Sequence, residues 1–203
     1  MAALGKILDG HEVPYQLVDS SQLNGMNESQ LRAHRLLVVP GGNFVRMGQG
    51  LEPTTSANIR NAVRGGLNYL GICAGAFLAG NSPVNGLNLT NGVEFPFYAA
   101  EAQGIRKTAV WVQAAGEPAL QHYWEDGPVL NGWGEVVGKY PDGTPAIVET
   151  SVGEGWVILS GVHPEAPESW RAGMTFVTPA SQDNAYAAKL IDAALRRTPL
   201  AHF

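Results

Sequence analysis

The chain has 203 residues, 45% of them apolar and 15% charged, with a net charge of −5. That length is read as one domain over residues 1–203, and the apolar share excludes a disordered chain. The acidic balance lacks the footprint of a nucleic-acid binder, no apolar run approaches the roughly 20 residues of a membrane span, and Met1-Ala2-Ala3-Leu4-Gly5-Lys6 lacks the basic start and long apolar stretch of a signal peptide.

Tyr15-Gln16-Leu17-Val18, after Pro14 and before Asp19-Ser20-Ser21, is predicted as a short strand. Leu36-Leu37-Val38-Val39 is wholly apolar and stops at Pro40-Gly41-Gly42, which predicts a strand buried on both faces of a parallel sheet. A helix follows to about Arg64, capped from Thr54-Thr55-Ser56, with Ile59, Ala62 and Val63 on one face and Gly65-Gly66 as its stop. Leu67 to Ile72 is a second buried strand that runs directly into Cys73. Strand, helix, strand at this spacing is a crossover unit, so the first half is α/β.

The second half has a different grammar. Thr108–Val112, Glu135–Tyr140, Ala146–Glu149 and Trp156–Leu159 read as short strands, the last three separated by Pro141-Asp142-Gly143 and Gly153-Glu154-Gly155. That predicts an antiparallel extension or a mixed sheet. Ser181 to Arg197 closes the chain as an amphipathic helix with Ala187, Leu190, Ile191, Ala194 and Leu195 on one face.

Cys73 is the one cysteine, which excludes an intrachain disulfide and suits a reducing, cytoplasmic setting. It sits in Gly71-Ile72-Cys73-Ala74-Gly75-Ala76, between an apolar strand and a helix-prone stretch. A nucleophile elbow needs this composition, because its sharp strand-to-helix turn tolerates little Cβ bulk two positions to either side. The helix start would offer Ala74 N–H to a developing oxyanion. A lone cysteine is also commonly just a small buried hydrophobe, so the assignment depends on partners elsewhere.

His163 is the candidate base, placed by Ser160-Gly161 just past the strand Trp156–Leu159. Glu165 lies two residues on, and Pro164 biases His163 toward extended backbone in which the two side chains share a side. The carboxylate could then orient the imidazole while its other nitrogen takes the Cys73 proton. The plainer alternative is a loop histidine beside a solvated carboxylate. His11, His34, His122 and His202 are expected at the surface, and no metal-ligand spacing is present. Pro40-Gly41-Gly42-Asn43, at another strand end, could bring Gly42 N–H to the same oxyanion.

Val39-Pro40-Gly41-Gly42-Asn43, Gly71-Ile72-Cys73-Ala74-Gly75-Ala76 and Ser160-Gly161-Val162-His163-Pro164-Glu165 resemble, in order and spacing, the class I glutamine amidotransferase-like superfamily. Within it the similarity is greatest to the biotin-protein ligase N-terminal domain family. The resemblance implies a flavodoxin-like three-layer α/β sandwich with a mostly parallel central sheet. It also implies a Cys73, His163, Glu165 triad, Gly42 and Ala74 as oxyanion donors, and no cofactor. The family opens on a strand near the middle of its sheet, whereas here Ala2 to Leu8 already looks helical, so a first strand is expected to be missing.

Between elbow and His163 lie Phe95, Phe97, Tyr98, Trp111, Tyr123, Trp124 and Trp133. They are either core of the antiparallel part or the lining of a pocket for a bulkier amide; Asn43, Tyr123 and Trp124 are the pocket candidates. Three functions remain open at this point. One is a cysteine-dependent amidohydrolase acting on a small amide or other C–N substrate. Another is a glutaminase subunit passing ammonia to a partner protein, and the third is a ligand-binding or regulatory module that keeps the fold without turnover. A homo-oligomer is compatible with the low charge and the missing strand.

Overall fold

The computed structural model describes residues 2–98 and 103–203. Three short helices come first: α1 (Ala2–Gly10), α2 (Ser20–Asn24) and α3 (Glu28–Arg32). Asp19 and Asn27 start α2 and α3 with reciprocal capping boxes to Gln22 and Gln30. Next come β1 (Leu36–Val39), α4 (Phe44–Gly50), α5 (Pro53–Arg64), β2 (Asn68–Ile72) and α6 (Ala74–Ala79). The rest is β3 (Lys107–Ala114), β4 (Leu120–Glu125), β5 (Glu135–Lys139), β6 (Pro145–Val152), β7 (Gly155–Ser160), a 3-10 turn (Glu168–Arg171) and α7 (Ala180–Arg196).

The strands form one mixed sheet in the order β1-β2-β7-β6-β5-β3-β4. β1, β2 and β7 run parallel, and the remaining neighbours pair antiparallel. Period-2 alternation sends the side chains of the parallel strands into two cores. Leu70, Ile72 and Ile158 face a core shared with Leu4 and Leu8 of α1 and with Leu190 and Ile191 of α7. Tyr69, Val157 and Leu159 face the opposite core with Ile59 and Val63 of α5 and with Phe77 and Leu78 of α6. Helices therefore cover both faces of the parallel part, which gives the three-layer α/β architecture.

Several sequence expectations need correction. Tyr15–Val18 is not a strand: no neighbour pairs with it, and Tyr15 and Leu17 are 42% and 60% exposed. β1 is half-buried rather than buried on both faces, because it is an edge strand with β2 on one side only. α5 starts one turn earlier than its Thr/Ser run suggests; Glu52 is the cap residue and Pro53 occupies the first turn, where its missing N–H costs nothing. β4 was absent from the predicted elements, since Leu120 to Glu125 mixes polar and aromatic residues without clear alternation. His122, expected at the surface, is 1% exposed.

Candidate active site

The elbow is built from glycines that no other residue could replace. Cys73 has φ +51° and ψ −103°, a strained conformation for a residue with a Cβ. Its backbone N–H donates to the Ser160 carbonyl at 2.7 Å, tying it to the end of β7. A Cβ on Gly75 would lie 2.0 Å from the Val39 carbonyl oxygen, and one on Gly71 would lie 2.6 Å from the Gly75 carbonyl oxygen. The turn is thus clamped between the carboxyl ends of β1 and β2, the end of a parallel sheet at which open α/β proteins place ligands. Tyr69, fully buried, donates its hydroxyl to that Gly75 carbonyl at 2.7 Å.

His163 reaches the same place from β7. Its backbone N–H donates to the Tyr123 carbonyl at 2.8 Å, which also fixes the end of β4. The imidazole packs on bare backbone: a Cβ at Gly41 would sit 2.2 Å from its Cε1. The Pro-Gly-Gly turn is therefore required for the histidine to seat. Nδ1 donates to Glu165 Oε1 at 2.9 Å, with both side chains almost wholly buried. Asn184 of α7 holds the connecting loop by donating to the Pro164 and Ala166 carbonyls at 3.0 and 3.3 Å.

Cys73 is 4% exposed. Its thiol donates to the Glu125 backbone carbonyl at 3.4 Å, and its charge acts on the His163 ring. Burial alone would disfavour a charged imidazole, but the Glu165 carboxylate, its hydrogen bond to the ring and the interaction with Cys73 outweigh it. The net effect pushes His163 up from 6.5 to about 10. A folded-state value above the unfolded one adds stability that is full below pH 6.5 and is lost as pH rises through about 10. The melting temperature should therefore fall between these limits, and fall less steeply in Glu165→Gln; pH-resolved thermal melts of the two proteins check this.

The remaining candidates separate. Ala74 is the first residue of α6, so its N–H has no partner inside the helix. Gly42 takes φ +155°, which favours glycine, in the loop that follows β1. Asn43 serves as an N-cap: it is exposed and accepts from Arg46 N–H at 3.0 Å to start α4. Asn43→Ala should cost about 1 kcal/mol in denaturant unfolding and leave Cys73 alkylation unchanged. Trp124 is likewise core, 0% exposed and edge-on to Tyr98 at 5.9 Å, because alternation along β4 turns it away from Tyr123. Tyr123 stays at the site. Its ring meets that of His163 at 5.7 Å and its hydroxyl donates to Glu125 Oε2 at 2.6 Å; burial and that contact raise its pKa well above the usual value.

Two neighbours carry no motif. The Glu125 carbonyl is a backbone atom, and Trp170 lies in a 3-10 turn without periodicity, its ring 5.7 Å from that of His163. Only its place just after the His-Pro-Glu run could have drawn attention to it. Among the described residues no group of His, Cys, Asp and Glu is arranged to hold a metal ion, and no helix is long and apolar enough to cross a membrane.

A thiol on a strained strand-to-helix turn and an imidazole bonded to a carboxylate stand at the end of a mixed sheet whose α/β fold is glutamine amidotransferase-like. The chain belongs to the family described as biotin-protein ligase, N terminal, whose sequence pattern matches residues 10–116, more than half of the chain. It is 27% identical over 184 residues to the biotin–protein ligase of Schizosaccharomyces pombe, covering 74% of this chain and 28% of that protein. The chain thus spans little more than a quarter of that relative's length. In fold it is similar to a glutamine amidotransferase crystal structure, with a TM-score of 0.59, 21% identity, and 81% and 85% of the two chains covered. A cytoplasmic protein from Salmonella typhimurium matches with a TM-score of 0.58 and 12% identity over 94% of this chain and 85% of its own.

Proposed function

We propose that the protein is a cysteine-dependent amidohydrolase that cleaves a small amide through an acyl-enzyme. The observation that carries this reading is Cys73 at φ +51°, coupled electrostatically to a buried His163 whose Nδ1 lies 2.9 Å from Glu165 Oε1. With Nδ1 committed to Glu165, Nε2 is the nitrogen left to take the Cys73 proton.

In the reactive pair the proton from the Cys73 thiol is held on His163, as the raised imidazole pKa favours, and the sulfur, released from the Glu125 carbonyl, is the nucleophile. Thiolate attack on the amide carbon converts the carbonyl to an oxyanion, which the N–H groups of Gly42 and Ala74 are offered to hold. Collapse breaks the C–N bond, and His163 delivers its proton to the leaving nitrogen, releasing ammonia or an amine. A water then attacks the thioester with His163 as base; the acid leaves and the thiol is restored. No cofactor or metal enters this sequence.

Ammonia release from a panel of primary amides, glutamine among them, tests the proposal. Release from several amides by the protein alone, lost in Cys73→Ala, supports it. Turnover of glutamine only, and only with an added protein, would favour an amidotransferase subunit. Absence of release with an unreactive Cys73 would leave a non-catalytic module.

A further inference from the structure

We propose that Trp170 is the specificity-determining wall of the Cys73 site, and that the acyl group it receives is aromatic or another flat apolar group. This rests on the thiol reading above and names the substrate class for it. Three rings pack together here: the His163 imidazole with Tyr123 and Trp170 each 5.7 Å from it, and Tyr123 and Trp170 5.6 Å apart. His163 and Tyr123 are 5% and 4% exposed, whereas Trp170 is 37% exposed. Trp170 is therefore the ring of the three with surface left to offer a ligand.

A second exposed ring packs on the helix that follows the elbow. Phe97, 41% exposed, lies 4.9 Å from Phe77, and Phe77 in turn stacks on Phe44 at 4.6 Å. Phe77 is one turn beyond Cys73 in α6, and Phe44 directly follows the Pro-Gly-Gly-Asn loop. Phe97 bridges to Pro128, a few residues past the Glu125 carbonyl that meets the thiol. The two acidic side chains that follow Trp124 are already engaged, Glu125 by the Tyr123 hydroxyl and Asp126 by Arg106, each at 2.6 Å. Aromatic faces are the surface these segments leave for recognition, and a flat apolar group gains both burial and ring contacts against them.

The turn that carries Trp170 is also fixed in place. Arg171, 3% exposed, pairs with Asp183 of α7, donates to the Thr178 carbonyl at 2.8 Å and lies 4.2 Å from the Phe176 ring centroid. A ring presented from an anchored turn loses little freedom on binding, which is how preorganised walls discriminate.

Alkylation of Cys73 by two reagents with the same reactive group, iodoacetamide and N-benzyliodoacetamide, tests this on the full chain. The benzyl reagent should react faster with the native protein. Trp170→Ala should lower the ratio of the benzyl rate to the iodoacetamide rate about tenfold, and Trp170→Phe should restore most of it. If Trp170→Ala slows both reagents equally, or neither, the specificity role is overturned while the nucleophile stands. A Cys73 that reacts with neither reagent in the native protein would overturn the thiol reading and this inference together.

Discussion

His163→Ala should lower amide turnover by about four orders of magnitude or more, with Cys73 untouched. The imidazole does two jobs in the geometry. It takes the thiol proton before attack and returns it to the leaving nitrogen, so its removal blocks both formation and collapse of the tetrahedral adduct. The Glu125 carbonyl at 3.4 Å from the sulfur only accepts a hydrogen bond and cannot carry the proton away in its place. Glu165→Gln should cost less, about two to four orders, since the base remains while its orientation and charge support weaken. Steady-state ammonia release on the best amide measures both, and the two variants should rank in that order.

The largest effect on stability is expected at Asp183. This carboxylate is 0% exposed, pairs with the guanidinium of Arg171, and has His122 Nδ1 3.4 Å away. Asp183→Ala would leave a buried cation with only the Thr178 carbonyl and the Phe176 ring beside it. Breaking one half of a buried ion pair typically costs about 3–5 kcal/mol, and in a chain of this size that lowers the melting temperature by roughly 10 °C. The double replacement Asp183→Leu with Arg171→Met should recover much of that loss, because it removes the stranded charge as well as the pair. Differential scanning calorimetry of the single and double variants decides between a stranded-charge cost and a simple packing loss.

The parts of this molecule that were legible beforehand are those where the backbone itself constrains composition. The wholly apolar Leu67–Ile72 ending at Cys73, and the glycines at 71 and 75, declare a buried strand and a crowded turn, and the close approaches of 2.6 and 2.0 Å explain why. The hairpin turns at Pro141-Asp142-Gly143 and Gly153-Glu154-Gly155 likewise marked β5 to β7 correctly. Tertiary choices were not legible. Tyr15–Val18 has a strand's composition, but a strand exists only with a partner, and none flanks it. Asn43 and Trp124 looked like pocket residues by chemistry; one spends its carbonyl oxygen on a helix cap and the other fills the core. His122 looked like a surface histidine because its partners, Asp183 and the Tyr186 ring at 5.6 Å, lie on the closing helix about sixty residues away.

The site shows the same division. The strained turn at Cys73 and the His163–Glu165 contact were readable because each needs particular neighbours. Trp170 and the Glu125 carbonyl were not, since a ring in a 3-10 turn and a backbone oxygen leave no pattern.

The most direct measurement of the central claim is the intact mass of the protein, rapidly quenched after mixing with an activated aryl ester or anilide. The account predicts one added acyl group, mapped to Cys73 as a thioester, decaying on the timescale of turnover and absent from His163→Ala. A native protein that stays unmodified while Cys73 is intact, or one acylated to the same extent without His163, would contradict it.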